Sequence, residues 1–194
     1  MNYKSLPEGY ILLRSINPQK DRRLAHLVNG LSLAIAVGMV AAALPFVPFS
    51  TFLSIRAPSL FDVLRPLLLL PALLLYSAAH ELIRRHYLKR YGKMKPNTVK
   101  GRFFCMGSNA CFDRRSYLII SLAPVILLGA LLMILNFALP VSCFWFVYFV
   151  QVLNLSGAAG DFYVSVYLSR MPRTVLTRDC GASTEIYVLA AKAE

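Results

Sequence analysis

A histidine and a glutamate lie side by side in a long apolar segment, at His80 and Glu81. Residues 72–90 read ALLLYSAAHELIRRHYLKR, so a dense basic cluster follows the pair. Ionisable residues in a membrane-length apolar run are costly, which makes such a pair a candidate functional site. His80-Glu81 is also the first half of H-E-x-x-H, the helical motif in which two histidines bind zinc and the glutamate is a general base. The pair therefore indicates metal-dependent hydrolysis as the first chemistry to consider.

The second half of that motif is missing, because the position four residues after His80 holds Arg84. A guanidinium stays protonated in proteins and offers no lone pair, so it cannot be a metal ligand. His86 is a possible substitute ligand, but six residues on it points about 120° away from His80 around a regular helix. Only an unwound or π-bulged helix end would bring His86 onto the same face.

The composition is that of a membrane protein. Of the 194 residues, 57% are hydrophobic and only 15% are charged. The apolar residues are concentrated in segments long enough to cross a bilayer, which we expect as transmembrane helices at about 27–49, 64–83, 117–138 and 141–168. We therefore expect a mainly α integral membrane protein that forms a single membrane domain over residues 1–194.

Short β segments are expected around this helical region. Residues 10–16 and 185–189 are β-compatible, and Asn17-Pro18 predicts the start of the helix that leads into the first span. In the loop 84–116, residues 99–106 and 110–112 predict a small β-hairpin joined by Gly107-Ser-Asn109.

The net charge of +12 is distributed as expected for cytoplasmic membrane segments. Ten of the 21 basic residues lie between Arg84 and Arg115, and five more precede the first span. This pattern follows the positive-inside rule and disfavours nucleic acid as a partner. It predicts a multi-pass cell-membrane protein with the bilayer as a partner and both termini and the hairpin loop in the cytoplasm.

The fourth predicted span carries a second polar set. Asn154, Gly157 or Ala158, and Asp161 follow the spacing of one helix face. Small residues let a neighbouring helix approach closely in a membrane. Asn154 could position a substrate backbone or form a hydrogen bond between helices. The alternative for both polar sets is that they only satisfy each other or water near the interface.

Three segments together resemble a bacterial family of small membrane zinc metallopeptidases related to the site-2 intramembrane proteases. They are HELIRR at 80–85, the segment from Asn154 to Asp161, and the segment from Arg114 to Pro124. The start, Leu6-Pro-Glu-Gly-Tyr10, and the tail around 175–187 extend the likeness over nearly the whole chain.

The resemblance implies roles for individual residues. His80 matches the first zinc ligand, Glu81 the general base and Asp161 the third ligand, while Arg84 stands at the second-ligand position without matching it. Arg84 could instead pair with Asp161 and Glu81, which would replace the metal by a fixed cation.

Three functions remain open. The first is a non-catalytic or atypical member of this metallopeptidase-like family, which binds a membrane protein or peptide. The second is an active zinc-dependent membrane peptidase whose third ligand is not apparent, in which the hairpin presents the substrate as an added strand. The third is a small four-span scaffold or transporter unrelated to zinc, which the nearly apolar first and third spans disfavour.

Overall fold

Long helices make up most of the computed structural model, which describes residues 2–3, 5–52, 60–92, 97–98, 106–107, 110–181 and 183–190. The helices are α1 (Arg22–Ala43), α2 (Leu60–Gly92), α3 (Arg114–Ala138), α4 (Phe144–Gly157) and α5 (Ala159–Ser169). Two short 3₁₀ turns, Phe49–Thr51 and Val141–Cys143, precede α2 and α4. The predicted mainly α fold is confirmed.

Three helices of the described chain are long and apolar enough to cross a membrane: α1, the Pro66–Gly92 part of α2, and α3. A fourth span is present if α4, with the turn before it, and α5 are one broken span bent by 40°. Only 6% of the apolar window of α1, and 6% of that of α2, is buried inside the protein. Helices that leave so much apolar surface uncovered need lipid around them, as expected for an integral membrane protein.

Helix α1 begins later than the Asn17-Pro18 signal predicts. The Asn17 side chain accepts the N–H of Gln19 at 2.9 Å, which makes a turn and not a helix. Asp21 is the cap, because its Oδ1 accepts the N–H groups of Arg23 at 3.0 Å and Leu24 at 3.2 Å. Compared with the predicted span 27–49, α1 is shifted towards the N-terminus.

Helix α2 continues well past residue 83, where the predicted span ends, so the predicted loop 84–116 is much shorter in the structure. The length of the apolar segment predicted the end of the helix at residue 83, and this prediction was wrong. The charged residues after Arg84 are good helix formers, and Leu88 is buried to 1% exposure in the core. Tertiary packing thus extends the helix beyond its membrane-length segment.

The fourth predicted span, 141–168, is interrupted. Helix α4 ends at Gly157 and α5 begins at Ala159, with Ala158 at φ −81° and ψ 4° between them. Asn154 and Asp161 therefore belong to different helices. The expectation that they share one helix face is wrong, because the α-helical spacing does not continue through Ala158.

The terminal β segments form one antiparallel sheet with the strand that precedes α3. Its strands are β1 (Tyr10–Ile16), β4 (Cys111–Asp113), β5 (Leu176–Asp179) and β6 (Thr184–Leu189). Their order is β1-β6-β5-β4, so the two predicted terminal strands are hydrogen-bonded neighbours. A separate two-stranded pair, β2 (Asn97–Thr98) and β3 (Met106–Gly107), lies between α2 and β4 in the chain.

The predicted hairpin pairing is wrong in the described residues. Cys111 and Phe112 of β4 pair with Arg178 and Thr177 of β5, and Gly107 belongs to a strand and not to the turn. Residues 99–105 and 108–109 of the predicted hairpin lie outside the described residues. In the observed pairing Phe112 is fully buried and Leu176 is 3% exposed, and this apolar burial stabilises it.

Two compact units divide the chain, and each has its own core. The first comprises residues 1–28, 81–124 and 160–194 and contains the sheet. Its core includes Ile16, Leu88, Phe112, Ile120, Leu168 and Ile186. The second comprises residues 29–80 and 125–159, and its core is built around Ala43, Phe52 and Trp145.

Candidate functional site

Arg84 forms a buried ion pair with a residue far along the chain. Its Nη2 donates to Oδ2 of Asp179 at 2.5 Å, and the two side chains are only 16% and 3% exposed. A charge-assisted hydrogen bond in such surroundings is one of the stronger polar contacts in a protein. The position where the motif requires a second zinc ligand is thus held by a cation with its own counter-ion.

Asp179 is fixed from its other side by the turn that joins β5 to β6. Its Oδ1 accepts the N–H of Gly181 at 2.8 Å, and Gly181 adopts φ 77°, a conformation that glycine reaches without strain. The turn therefore orients the Asp179 carboxylate independently of its ion pair with Arg84.

Asp161 lies in the first turn of α5 and accepts the hydroxyl of Ser121 at its Oδ1, at 2.6 Å. Ser121 is on α3 and only 4% exposed. The sequence offered Asp161 and Glu81 as possible partners of Arg84, and the structure adds Asp179 as an ion-pair partner.

Tyr117 is a buried polar residue of the same unit as the ion pair. Its hydroxyl shares a 2.9 Å hydrogen bond with Oγ1 of Thr184, and Tyr117 is 2% exposed. Glu81, one turn before Arg84 on α2, is also buried, at 8% exposure. The first unit thus contains Glu81, Arg84 and Asp161 from the predicted site, together with Asp179 and Tyr117.

His80 and Asn154 belong to the second unit. The His80 ring lies 6.1 Å from the ring of Tyr76, one turn earlier on α2. The Tyr76 hydroxyl donates to Oδ1 of Asn154 at 2.7 Å, and Nδ2 of Asn154 donates to the carbonyl of Val125 at 3.0 Å. Asn154 is 1% exposed. These contacts favour the hydrogen bond between helices for Asn154, and its catalytic role stays a prediction.

His86 does not approach the His80 face. Helix α2 is α-helical without interruption from Leu60 to Gly92, so the unwinding that a substitute ligand requires does not occur. His86 is exposed, with its ring edge-on to Tyr87 at 5.7 Å. The structure gives no support to His86 as a second ligand.

The donor groups of the described chain do not fit a zinc site. No three of its His, Cys, Asp and Glu side chains come together in a way that could hold a metal ion. Catalytic zinc needs about three protein ligands with free lone pairs. Arg84 supplies none, and Asp179, the carboxylate next to it, is engaged by the guanidinium and by Gly181.

Asp179 is the residue that sequence reasoning missed. The chain has nine acidic residues, and Asp179 carries no motif and lies 95 positions after Arg84. The one available signal is general: an arginine buried on a helix requires an anion. That signal cannot choose among the nine candidates.

The helices and the His80-Glu81 segment define a membrane protein of metallopeptidase-like character. The chain belongs to the family described as putative zincin peptidases, whose model matches residues 72–176, more than half of it. The matched region contains His80, Glu81, Arg84 and Asp161, but it ends three residues before Asp179. No curated protein and no solved structure matches the chain. The family name implies zinc, in contrast to the donor set found at the site.

Proposed function

We propose that this chain is a non-hydrolytic, metal-free member of the zincin-peptidase family that acts by binding. One observation carries this proposal: Arg84, at the second-ligand position, is ion-paired with the 3%-exposed side chain of Asp179. Its partner for binding is a membrane-protein segment or peptide, taken up from or beside the bilayer.

The ion pair opposes metal binding in two ways. A guanidinium cannot lose its proton at any physiological pH, so it remains a non-ligand. Freeing Asp179 to bind a metal would leave a buried cation without its partner, which typically costs about 3–5 kcal/mol. The pair therefore stabilises the fold in the arrangement that lacks a metal ligand.

Glu81 loses its catalytic task in such a protein. The glutamate of an H-E-x-x-H site takes the proton from a water that the zinc ion has acidified. Without two histidines to hold the metal, a carboxylate at the position of Glu81 has no activated water to deprotonate. Its retention is compatible with a structural role beside Arg84 and the surrounding polar residues.

The outer edge of β1 is where we place an extended partner segment. In the described sheet β1 pairs with β6 on one side only, whereas β4 is bridged on its outer side by Tyr3. Ile11, Leu12 and Leu13 of β1 are 56%, 53% and 48% exposed. An open strand with apolar side chains is suited to β-strand addition, and in a lone protein it is a liability.

Site-specific photo-crosslinking tests the β1 assignment. A crosslinker at Leu13 in intact membranes is expected to reach an extended segment adjoining a transmembrane helix of another protein. The matched control is Leu189, which is 58% exposed on β6. Crosslinks of equal yield from both positions, or crosslinks from Leu13 to lipid alone, would remove β1 as the binding edge.

The distribution of basic residues supports an orientation in which the sheet-bearing ends of the spans face the cytoplasm. We therefore propose that the chain is a multi-pass membrane protein with both termini in the cytoplasm.

Thermal unfolding with and without metal tests the non-hydrolytic proposal. A bound metal stabilises by an amount that grows with its concentration over its dissociation constant. For the wild type in detergent, we expect neither a zinc-selective chelator nor added zinc to move the unfolding temperature. We expect zinc to stabilise Arg84→His/Asp179→Asn, which regains H-E-x-x-H and avoids an unpaired buried carboxylate.

The matched control is Arg85→His, which adds a histidine at an exposed neighbour outside the motif. Its unfolding temperature should not respond to zinc. If chelation destabilises the wild type, the metal-free proposal is wrong and the active zinc peptidase becomes the better account.

A further inference from the structure

A basic cavity lies in the first unit where α3 begins and the chain leaves α5. It has a volume of about 490 Å³ and is lined by Asp113, Arg114, Arg115, Leu118 and Arg173. Three guanidinium groups and one carboxylate leave it with a formal charge of +2. None of these residues belongs to the Arg84–Asp179 site.

Arg114 is held in place by the end of α5. Its Nη1 donates to the carbonyl of Met171 at 2.6 Å and to that of Ser169 at 3.3 Å. These carbonyls lie at and just beyond the helix end, where backbone acceptors lack helical partners. Arg114 therefore links the start of α3 to the end of α5, the two elements between which the cavity lies.

Asp113 has a defined structural task. Its Oδ1 accepts the N–H of Ser116 at 2.8 Å, so it caps the N-terminus of α3. The carboxylate is thus directed to the helix start. This leaves Arg115 and Arg173, both exposed, which form no salt bridge with any acidic side chain of the described chain.

The position of the cavity indicates the ligand. Arg114 and Arg115 are the first two residues of α3, a helix apolar enough to span a membrane, and Arg173 follows α5 by four residues. For a membrane-spanning α3, the first turn of the helix is at the depth where lipid headgroups occur. Guanidinium groups match phosphate oxygens in planar, two-point hydrogen bonds.

We propose that this cavity binds the phosphate of an anionic membrane phospholipid, with Arg115 and Arg173 as its direct donors and Arg114 as the fixed wall. Leu118, one turn into α3, supplies the apolar side against which the first part of an acyl chain lies. Basic pockets beside transmembrane helices are suited to anionic headgroups in this way. The inference does not depend on whether the Arg84 position binds zinc.

Native mass spectrometry of the full chain in a neutral detergent tests the proposal, with a short-chain anionic phospholipid titrated in. A neutral micelle has no anionic surface, so general surface attraction is removed from the measurement. We expect one tightly bound lipid for the wild type. We expect Arg115→Gln/Arg173→Gln to bind it more weakly by about tenfold or more, since each lost hydrogen bond to a charged group contributes substantially.

The matched control is Arg85→Gln/Arg90→Gln, which makes the same charge change at two exposed positions on α2. It should bind the lipid like the wild type. Equal losses in both variants, or no loss in either, would overturn the cavity as the site. Displacement of the lipid by millimolar inorganic phosphate would assign the cavity to a free anion and overturn the lipid assignment.

Discussion

Arg84 and Asp179 are 95 residues apart in the sequence, yet their side chains meet at 2.5 Å in a largely buried ion pair. At the scale of single residues, this contact decides how the family motif is interpreted in this chain. An arginine in place of a ligand is by itself only a lost ligand. An arginine with a dedicated carboxylate partner supports our proposal that the ion pair takes the place of the metal site.

We predict that Arg84→Ala lowers the free energy of unfolding by about 3–5 kcal/mol, because it leaves Asp179 buried without its cation. Arg84→Leu/Asp179→Leu should be less destabilising than Arg84→Ala, since it removes both charges together. Unfolding in detergent, followed by circular dichroism, measures the differences.

Arg85→Ala is the control, because Arg85 is exposed on the same turn of α2 and its loss should change stability by no more than about 0.5 kcal/mol. If Arg84→Ala and Arg85→Ala are equally mild, the ion pair contributes little and the site argument loses its physical basis.

The candidate site was only partly predictable at this scale. His80, Glu81 and Arg84 are adjacent in sequence, so a local motif reveals them. Asp179 was not predictable, because its role depends on the pairing of β5 with β6 and on the Gly181 turn that orients it. No local pattern carries that information.

At the scale of elements, the close approach of α3 to α4 is set by one glycine. A Cβ on Gly129 would lie 2.9 Å from Nδ2 of Asn154 and 3.6 Å from Nε2 of Gln151. Glycine therefore lets the Asn154 amide reach the α3 backbone. This matches the use of small residues between membrane helices.

We predict that Gly129→Ala destabilises the protein by about 1–3 kcal/mol, because the added methyl group pushes against the buried Asn154 amide. Gly38→Ala is the control: it is also a mid-helix glycine, but nothing lies within 4 Å of its Cβ position. Gly38→Ala should be neutral or stabilising by about 0.5–1 kcal/mol. Thermal unfolding in detergent compares the two.

A Gly129→Ala variant as stable as Gly38→Ala would show that the two helices can separate without loss. The contact between Asn154 and Val125 would then not hold them together.

The sequence predicted elements well where the signal is local. Apolar length gave α1, α2 and α3, and β-compatible composition gave β1 and β6. It failed where a distant partner or a single residue decides the outcome. β4 pairs with β5 and not within the predicted hairpin. Helix α2 continues beyond its apolar segment, where Leu88 is buried. The helix of the predicted fourth span is interrupted at Ala158. Each of these depends on packing that sequence periodicity does not contain.

At the scale of the whole molecule, hydropathy is compatible with a multi-pass membrane protein, and the charge distribution supports the orientation that we propose for it. The three long helices are apolar, and basic residues precede α1, follow α2 and begin α3. The positive-inside rule is the basis of our proposal that these ends face the cytoplasm.

We predict that Lys20→Cys is protected from a membrane-impermeant maleimide in intact cells, whereas Phe46→Cys is labelled. The two positions flank α1, and both side chains are exposed in the protein. The experiment uses a Cys143→Ser background, because Cys143 lies on the side that we predict to face outwards. Labelling of Lys20→Cys together with protection of Phe46→Cys would invert the proposed topology.

The zinc content of the purified wild-type protein tests the central claim most directly. Elemental analysis of the full chain in detergent, purified without chelators and alongside His80→Ala, gives zinc per chain. We predict far less than one zinc per chain in both proteins, because Arg84 is not a metal ligand and Asp179 is bound to it in an ion pair. Close to one zinc per wild-type chain, lost in His80→Ala, would contradict this account and establish a metal site built with ligands that it does not include.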